Sequence, residues 1–304
     1  MTINMNKPKV SVLLSSYNGD AFIKEQIDSI NAQTMSNQII VRDDGSSDNT
    51  RKILDSYQEK GVLDWYSGPN LRPAKSFWDL LCKAPVSDYY SFCDQDDVWL
   101  PDKLSAAIGR MSEYSNVPCL YFSAKRLVDK DLNLIADTKD HHRLGLGEAM
   151  IYNPVTGCTM VINKALRDIL ISATPNIPSL HDSWIYRTCL AVGGKVIYDP
   201  NPHILYRQHG NNVVGHVGIY RRFKSFLNVL LSAKQKSARS NSAKELLRCY
   251  ADKMTLDSKT LLMQLSSYDQ SLSSKIKLLA NNEMQTSSYF GRFTFILYVL
   301  FNKY

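Results

Sequence analysis

From Lys9 to about Tyr121, short β-branched apolar runs alternate with stretches in which apolar residues return every three or four positions. The first pattern marks strands and the second amphipathic helices, so their regular succession predicts β-α units around a mainly parallel sheet. Strands are predicted over residues 10–15, 38–42, 63–66, 89–93 and 119–122, with helices over 20–33, 48–59, 73–83 and 101–114 between them. Asp48 suits the cap of the second helix. Pro101 suits the first turn of the fourth, where its missing N–H costs no hydrogen bond.

Residues 123–152 lose this regularity. Asp129, Lys130, Asp131, Lys139, Asp140, His141 and His142 crowd together, and an irregular, mobile loop is expected. The pattern resumes over 154–162, followed by a helix near 164–172, a turn flanked by Pro175 and Pro178, a helix over 182–191, and strands near 196–198 and 204–207. After Gly218, basic helical stretches alternate with polar ones, and the sequence ends in YFGRFTFILYVLFNKY. The apolar run from Phe293 to Phe301 falls well short of the ~20 residues that a membrane-spanning helix needs. It reads as an interfacial helix with Arg292 and Lys303 at headgroups, or as an ordinary core helix.

Composition narrows the classes. A chain of 304 residues, 44% hydrophobic and 21% charged, is long and apolar enough to bury a core and is neither disordered nor collagen-like. Residues 221–304 hold 14 basic and 5 acidic side chains, whereas residues 1–220 hold 22 and 24. A basic end on a near-neutral body implies an anionic partner, with a merely solvated helical face as the plainer reading. The six cysteines are widely spaced without a C-x-x-C, which argues for reduced, mostly buried thiols. No apolar stretch near the N-terminus suits a secretory signal, so a cytosolic chain is expected.

The chemistry concentrates at predicted strand ends. Neither G-x-G-x-x-G nor G-x-x-x-x-G-K-[ST] occurs, which removes the dinucleotide-fold and P-loop readings. The first strand ends in Ser15-Ser16-Tyr17-Asn18-Gly19 and the second in Arg42-Asp43-Asp44-Gly45-Ser46-Ser47-Asp48. In an open α/β sheet, ligands sit beyond the carboxyl ends of strands, so these loops are expected to line one crevice. There Tyr17 would stack on a nucleobase and Asp43 would accept an N–H. Asp-Gly and Ser-Ser-Asp are also ordinary turn chemistry. In SFCDQDDVWLPDKL, Asp94, Asp96 and Asp97 follow a β-rich run directly. Carboxylates this close repel unless protonated or bound to a cation, and Mg²⁺ or Mn²⁺ prefers such oxygens. A cation beside a nucleotide pocket implies a diphosphate whose departing charge it neutralises.

The order SVLLSSYNG, VRDDGSSDNT, CDQDDVWLPDKL, HDSW resembles family 2 of the glycosyltransferases across about residues 8–212. That resemblance implies the GT-A fold, an α/β Rossmann-like, mainly parallel sheet flanked by helices, with a C-terminal helical extension. It places a catalytic domain over 1–217 and a basic helical region over 218–304, the latter suited to a membrane surface or an oligomer contact. The implied reaction is inverting transfer of a sugar from a nucleoside diphosphate sugar to an acceptor hydroxyl, with a divalent cation, Mn²⁺ or Mg²⁺. Asp94-Gln95-Asp96 matches the D-x-D motif, with Asp96 as metal ligand and Asp94 nearer the ribose or the metal. Tyr17, Asn18, Asp43 and Asp44 match nucleotide-binding positions, with Ser15 and Gln95 beside them. Lys75 stands where members often carry a basic residue near the donor. His181-Asp182 matches the acidic motif at a helix start that supplies the general base, here Asp182, which takes the acceptor proton. A helix cap is the plainer role for that residue. YRQHGNNVVG resembles the segment closing the catalytic domain, making His209 a candidate metal ligand and Arg207 a diphosphate contact. Gly157 falls in an acceptor-side loop, and Trp99 and Trp184 either offer a sugar a flat face or belong to the core. The sequence departs from many members in carrying Ser15-Ser16 where they have Pro-Thr.

The D-Q-D-D-V-W form together with HDSW and YRQHGNN is similar to bacterial enzymes of O-antigen, capsule or cell-wall rhamnan assembly. This points to dTDP-L-rhamnose as donor, with a UDP-hexose as the alternative. The acceptor implied is a growing glycan on a polyprenyl diphosphate, the basic C-terminal region resting peripherally on anionic lipid at the inner face of the cell membrane. A nucleotidyltransferase, releasing pyrophosphate, is the rival enzyme. A nucleic-acid-binding protein is the rival without chemistry, and the confinement of positive charge to one end argues against it. The oligomeric state is left open.

Overall fold

A computed structural model describes residues 7–138, 143–176, 180–208 and 238–304, which fall into two compact units. The first gathers Met1–Lys139, Val155–Ile171 and Lys195–Arg207. Its strands and helices run β1 (Val10–Ser16), α1 (Ile23–Asn31), β2 (Gln38–Asp43), α2 (Thr50–Glu59), β3 (Leu63–Ser67), α3 (Arg72–Lys83), β4 (Tyr89–Cys93), β5 (Val98–Trp99), α4 (Lys103–Met111) and β6 (Cys119–Ser123). β7 (Arg126–Val128) and β8 (Leu134–Asp137) follow, and β9 (Val161–Asn163), α6 (Lys164–Ile171), β10 (Lys195–Asp199) and β11 (Ile204–Arg207) complete the unit.

Seven strands form the main sheet in the order β10-β6-β9-β4-β1-β2-β3. β1 pairs in parallel with both β2 and β4, β2 with β3, and β6 with β10, while β9 runs antiparallel between β4 and β6. Central strands of such a sheet are covered on both faces and so read as continuous apolar runs rather than alternating ones. Accordingly Val12, Leu13 and Leu14 of β1 are all inaccessible, and α1 lays Ile23, Ile27 and Ile30 into the same core. Register aligns Ser16 with Asp43 and Leu14 with Cys93, so the loops leaving β1, β2 and β4 open at the same end of the sheet.

All five strands and four helices predicted up to Tyr121 are present, most with ends shifted by a few residues. The second helix starts at Thr50. Asp48 still serves it from one position before the cap residue Asn49, its Oδ1 accepting the Thr50 N–H at 3.0 Å. The irregular loop expected over 123–152 requires correction, because β7 and β8 lie within it and join β5 and β11 in a second sheet of order β5-β11-β7-β8. All four residues of β8 are exposed, which leaves no apolar alternation to read.

The second unit gathers Asp140–Pro154, Ser172–Gly194 and Gln208–Tyr304 and is helical among its described residues. α5 (Leu146–Ile151) and α7 (His181–Ala191) join helices Ala238–Tyr250, Leu256–Ser266, Leu272–Leu279 and Tyr289–Leu300. α7 is buried almost throughout. Its Trp184 ring lies 6.1 Å from that of Tyr250, and Arg187 donates to the Ala149 carbonyl at 2.9 Å and to Ser242 Oγ at 3.2 Å. The boundary expected between residues 217 and 218 lies in 209–237, outside the described residues. Among the described residues no helix is long and apolar enough to cross a membrane.

Candidate active site

The loop after β1 is fixed to the loop after β2 by backbone donors. Asn18 N donates to Ser46 Oγ at 2.9 Å, Gly19 N to Thr50 Oγ1 at 2.8 Å, and Asn18 Oδ1 accepts the Ser47 N–H at 2.8 Å. Asn18 adopts φ +47°, a left-handed conformation that asparagine tolerates better than most residues. Tyr17, 48% exposed, keeps an open ring at the mouth of the sheet.

Asp43 and Asp44 are both buried. Asp43 Oδ1 accepts from the Gly45 and Ser46 amides and from Arg51 Nε, while Oδ2 accepts from the hydroxyls of Ser16 and Ser46. Burial alone would raise its pKa, but the hydrogen bonds from Ser46 and Arg51 outweigh it and hold the carboxylate below its ordinary value. Asp44 pairs with Arg42 and accepts the Leu71 and Arg72 amides at 3.0 and 2.9 Å, pinning the start of α3. Ser15 Oγ lies 2.7 Å from Ser76 Oγ on the same helix. These side chains therefore build the walls. Lys75, one turn into α3, is exposed and forms no ion pair with a described residue.

Gln95 joins the third loop to the first. Its Oε1 accepts the Tyr17 N–H at 2.8 Å and its Nε2 donates to the Tyr17 carbonyl at 3.1 Å, as a neighbouring strand would. Such close approach needs glycine at position 19, where a Cβ would come within 2.3 Å of Gln95 Oε1.

Beside Gln95, Asp94 and Asp96 are half-buried and Asp97 is fully buried. Ligand atoms of Asp94, Asp97 and Cys158 lie within 4.8 Å of one another. Asp96 is not part of this group, and His209 of the expected set Asp94, Asp96 and His209 lies outside the described residues. Burial, then the charges of Asp96 and Asp94, pushes Asp97 well above the usual carboxylate range. Its Oδ1 accepts the Arg207 amide at 3.1 Å, and the Cys158 thiol is a further neighbour of the buried carboxyl. Burial also raises the Cys158 thiol, and a protonated sulfur is a poor donor to a hard cation. The carboxylates fit Mg²⁺ or Mn²⁺; the thiol does not.

Arg207, expected at a diphosphate, is buried. Its Nε donates to the Asp96 carbonyl at 2.9 Å and its Nη2 to Glu25 Oε2 at 2.6 Å, while Nη1 reaches the Lys130 carbonyl and the guanidinium covers the Phe22 ring at 4.7 Å. It clamps the acidic loop in place. Lys103 lies beneath, its Nζ donating to Ser91 Oγ at 3.1 Å and sitting 3.8 Å from the centre of the Trp99 ring. Burial lowers its pKa to about 8, against the pull of Cys93, Cys158 and Asp97. Lys103 stands inside the CDQDDVWLPDKL segment without a role read for it, and Cys158 is one of six widely spaced cysteines. Trp99 and Trp184 are both core residues and present no face to a sugar.

Asp182 belongs to the helical unit. It occupies the first turn of α7, whose cap residue is Leu180, so the capping role is not the one it plays. Its Oδ1 accepts from Asn153 Nδ2 at 3.3 Å and from the Ser183 amide. The preceding His181 is buried and held neutral, its pKa pushed down to about 3 by burial. Gly157 opens a buried 3₁₀ turn, Gly157–Thr159, ahead of β9.

Residues 11–168 match the family described as Glycosyl transferase family 2. The chain is similar to the dTDP-rhamnosyl transferase RfbG of Shigella flexneri, 31% identical over 227 residues, covering 66% of this chain and 73% of that protein. Over 114 residues it is 32% identical to the UDP-Glc:alpha-D-GlcNAc-diphosphoundecaprenol beta-1,3-glucosyltransferase WfgD of Escherichia coli, covering 37% of this chain and 44% of that one. In fold it is similar to S. aureus TarS 1-349 in complex with UDP-GlcNAc, with a TM-score of 0.57 at 14% identity over 97% of this chain and 89% of that one. GalNAc-T7 with UDP, GalNAc and Mn²⁺ gives 0.54 at 11% identity, covering 82% and 57%.

Proposed function

The chain belongs to family 2 of the glycosyltransferases, and we propose that it is an inverting, metal-dependent enzyme that moves L-rhamnose from dTDP-L-rhamnose to a lipid-linked glycan. The observation that carries this reading is the Gln95 bridge. It ties the loop bearing Tyr17 to the loop bearing Asp94 and Asp96, at the strand ends where an α/β sheet binds ligands. Tyr17 stacks on the base and Lys75 meets the donor's negative charge. Ser15, Asn18, Asp43, Asp44 and Arg207 hold the walls at their spacing. Asp94 and Asp96, the two carboxylates of the loop that solvent reaches, hold the divalent cation, and Asp97 stays beneath them. Bound there, Mn²⁺ or Mg²⁺ supplies charge neutralisation for the departing diphosphate. Asp182 takes the proton of the acceptor hydroxyl.

Similarity to RfbG across two-thirds of the chain supports the rhamnosyl donor. The shorter similarity to WfgD supports a UDP-hexose as second reading, and the diphosphoundecaprenol in that protein's name supports a polyprenyl diphosphate acceptor. Such an acceptor places the enzyme peripherally at the inner face of the cell membrane. The testing experiment is the shift in thermal unfolding midpoint with dTDP, UDP, GDP and their sugars, in Mn²⁺, Mg²⁺ or EDTA, since a ligand bound only to the native state raises the midpoint. Stabilisation chiefly by dTDP-rhamnose, lost in EDTA, is expected. A preference for UDP sugars transfers the assignment to the second reading, and indifference to every nucleotide overturns the pocket. Asp96→Ala should abolish metal-dependent donor affinity in calorimetry; an unchanged affinity removes Asp96 from the ligand set.

A further inference from the structure

The chemistry assigned to Asp182 asks two things of its carboxylate. It must rest ionised, and it must hold one orientation while the acceptor oxygen attacks the anomeric carbon, the bond to the diphosphate breaks and the hydroxyl proton passes to it. Burial works against the first, because Asp182 is only 7% exposed and a low-dielectric setting favours the neutral acid. Its place in the first turn of α7 compensates in part, since the amides at a helix start favour negative charge. Two N–H groups then converge on Oδ1, the Ser183 amide and Asn153 Nδ2 at 3.3 Å. An ionised carboxylate only accepts, so Asn153 must present its amide nitrogen there.

The sequence delivers Asn153 to that point. It follows α5 and precedes Pro154. A residue before proline is kept out of helical backbone, so α5 stops and Asn153 is restricted to extended conformations. Tyr152 is already extended, at φ −136° and ψ 138°, and its amide closes the helix on the Glu148 carbonyl at 2.7 Å. The last carbonyls of a helix lack partners within it, and here two arginines take them. Arg187 Nε reaches the Ala149 carbonyl at 2.9 Å, and Arg239 Nη2 reaches that of Ile151 at 3.1 Å. Arg187 stands on α7 five residues after Asp182 and is itself buried, so the helix that carries the base also anchors the end of α5 that carries Asn153. We infer that Asn153 is a positioning residue for sugar transfer: its side-chain N–H holds the Asp182 carboxylate in the orientation and the ionised form of a general base. This rests on the assignment of Asp182 as that base.

The test is ¹³C NMR of the full chain labelled at its aspartate carboxyls, which follows each titration with no substrate present. The resonance missing from Asp182→Asn belongs to Asp182. In Asn153→Ala that resonance should titrate at least ~0.5 pH unit higher, because a donor to the charged form is lost, and in Asn153→Asp, which adds a second negative charge, higher still. In transfer from dTDP-L-rhamnose, Asn153→Ala should lower kcat ~tenfold and leave the donor KM unchanged, since the residue acts through the base. An Asp182 titration that neither variant moves overturns the inference, and a lowered unfolding midpoint beside it gives Asn153 to the fold. If turnover is lost in Asp182→Asn while the titration stays unmoved, the inference falls alone and the base stands. Near wild-type transfer by Asp182→Asn removes both.

Discussion

Asp43 shows how little of a residue's role its identity reveals. The sequence presents it as a carboxylate ready for a nucleobase; the fold buries it and surrounds it with Ser16, Ser46 and Arg51. Because its pKa is lower in the native state than the ordinary 3.8, the unfolded chain binds more protons between the two values. The stability it contributes is therefore complete above the ordinary value and drains away as pH falls through the native one. Unfolding midpoints measured from neutral to acid pH should fall for wild type, and part of that fall should vanish in Asp43→Asn; parallel curves would leave Asp43 without a stabilising role. Asp182 carries the opposite kind of prediction. Asp182→Asn keeps the shape and removes the base, so donor-induced stabilisation should persist while turnover drops at least ~100-fold. Transfer near the wild-type rate would exclude it from proton transfer. Asp97 was visible in the sequence as one of three clustered acids, but its separation from Asp94 and Asp96 by burial was not. Cys158, a lone thiol distant in the chain, offered no signal at all.

At the scale of elements, legibility followed the sign of the pattern. β1, β2 and β4 are buried on both faces and were read as apolar runs, and α1 showed its Ile23, Ile27 and Ile30 face plainly. β7 and β8 leave no such pattern. They are three and four residues long, and β7 takes its parallel partner β11 from a remote part of the chain. The contact between loops is likewise unreadable, because it depends on the Tyr17 backbone pairing with a side chain from another strand end, past a Gly19 that has no Cβ to obstruct it. Adding one methyl tests it. In Gly19→Ala the obstructing atoms belong to the flexible end of Gln95, so the side chain can swing away at a stability cost of about 1 kcal/mol while both hydrogen bonds to Tyr17 are lost. Donor affinity should fall several-fold with a nearly unchanged melting point. A large loss of stability with intact donor affinity would show that the bridge serves the fold and not the site. Gly147 is the contrast, since a Cβ there would lie 1.9 Å from the Glu283 carbonyl oxygen. Backbone cannot swing aside, and Gly147→Ala should destabilise the protein by about 2 kcal/mol or more, read as a lowered unfolding midpoint.

For the whole molecule, the sharp change of composition near Gly218 suggests a body with a detachable basic end. Side-chain partners in the helical unit argue for a different behaviour. α7, which carries Asp182, buries Trp184 against Tyr250 and fastens Arg187 to Ser242 and to the Ala149 carbonyl, while the Thr255 amide donates to the Ala191 carbonyl at 3.2 Å. Glu148 of α5 accepts from the amide and hydroxyl of Ser287. Composition registers none of this, because each contact joins residues far apart in the chain. Ending the chain at residue 217 would strip α5 and α7 of these partners and leave Trp184 and Arg187 without their cover, a loss of apolar burial that a domain of marginal stability cannot absorb. The shortened chain should therefore show lower soluble yield and a less cooperative thermal transition, together with loss of transfer, rather than a mere loss of surface attachment. If it instead unfolds cooperatively at the wild-type midpoint and still transfers sugar, the helices after residue 217 are an appendage and α7 holds its place through the remaining chain alone.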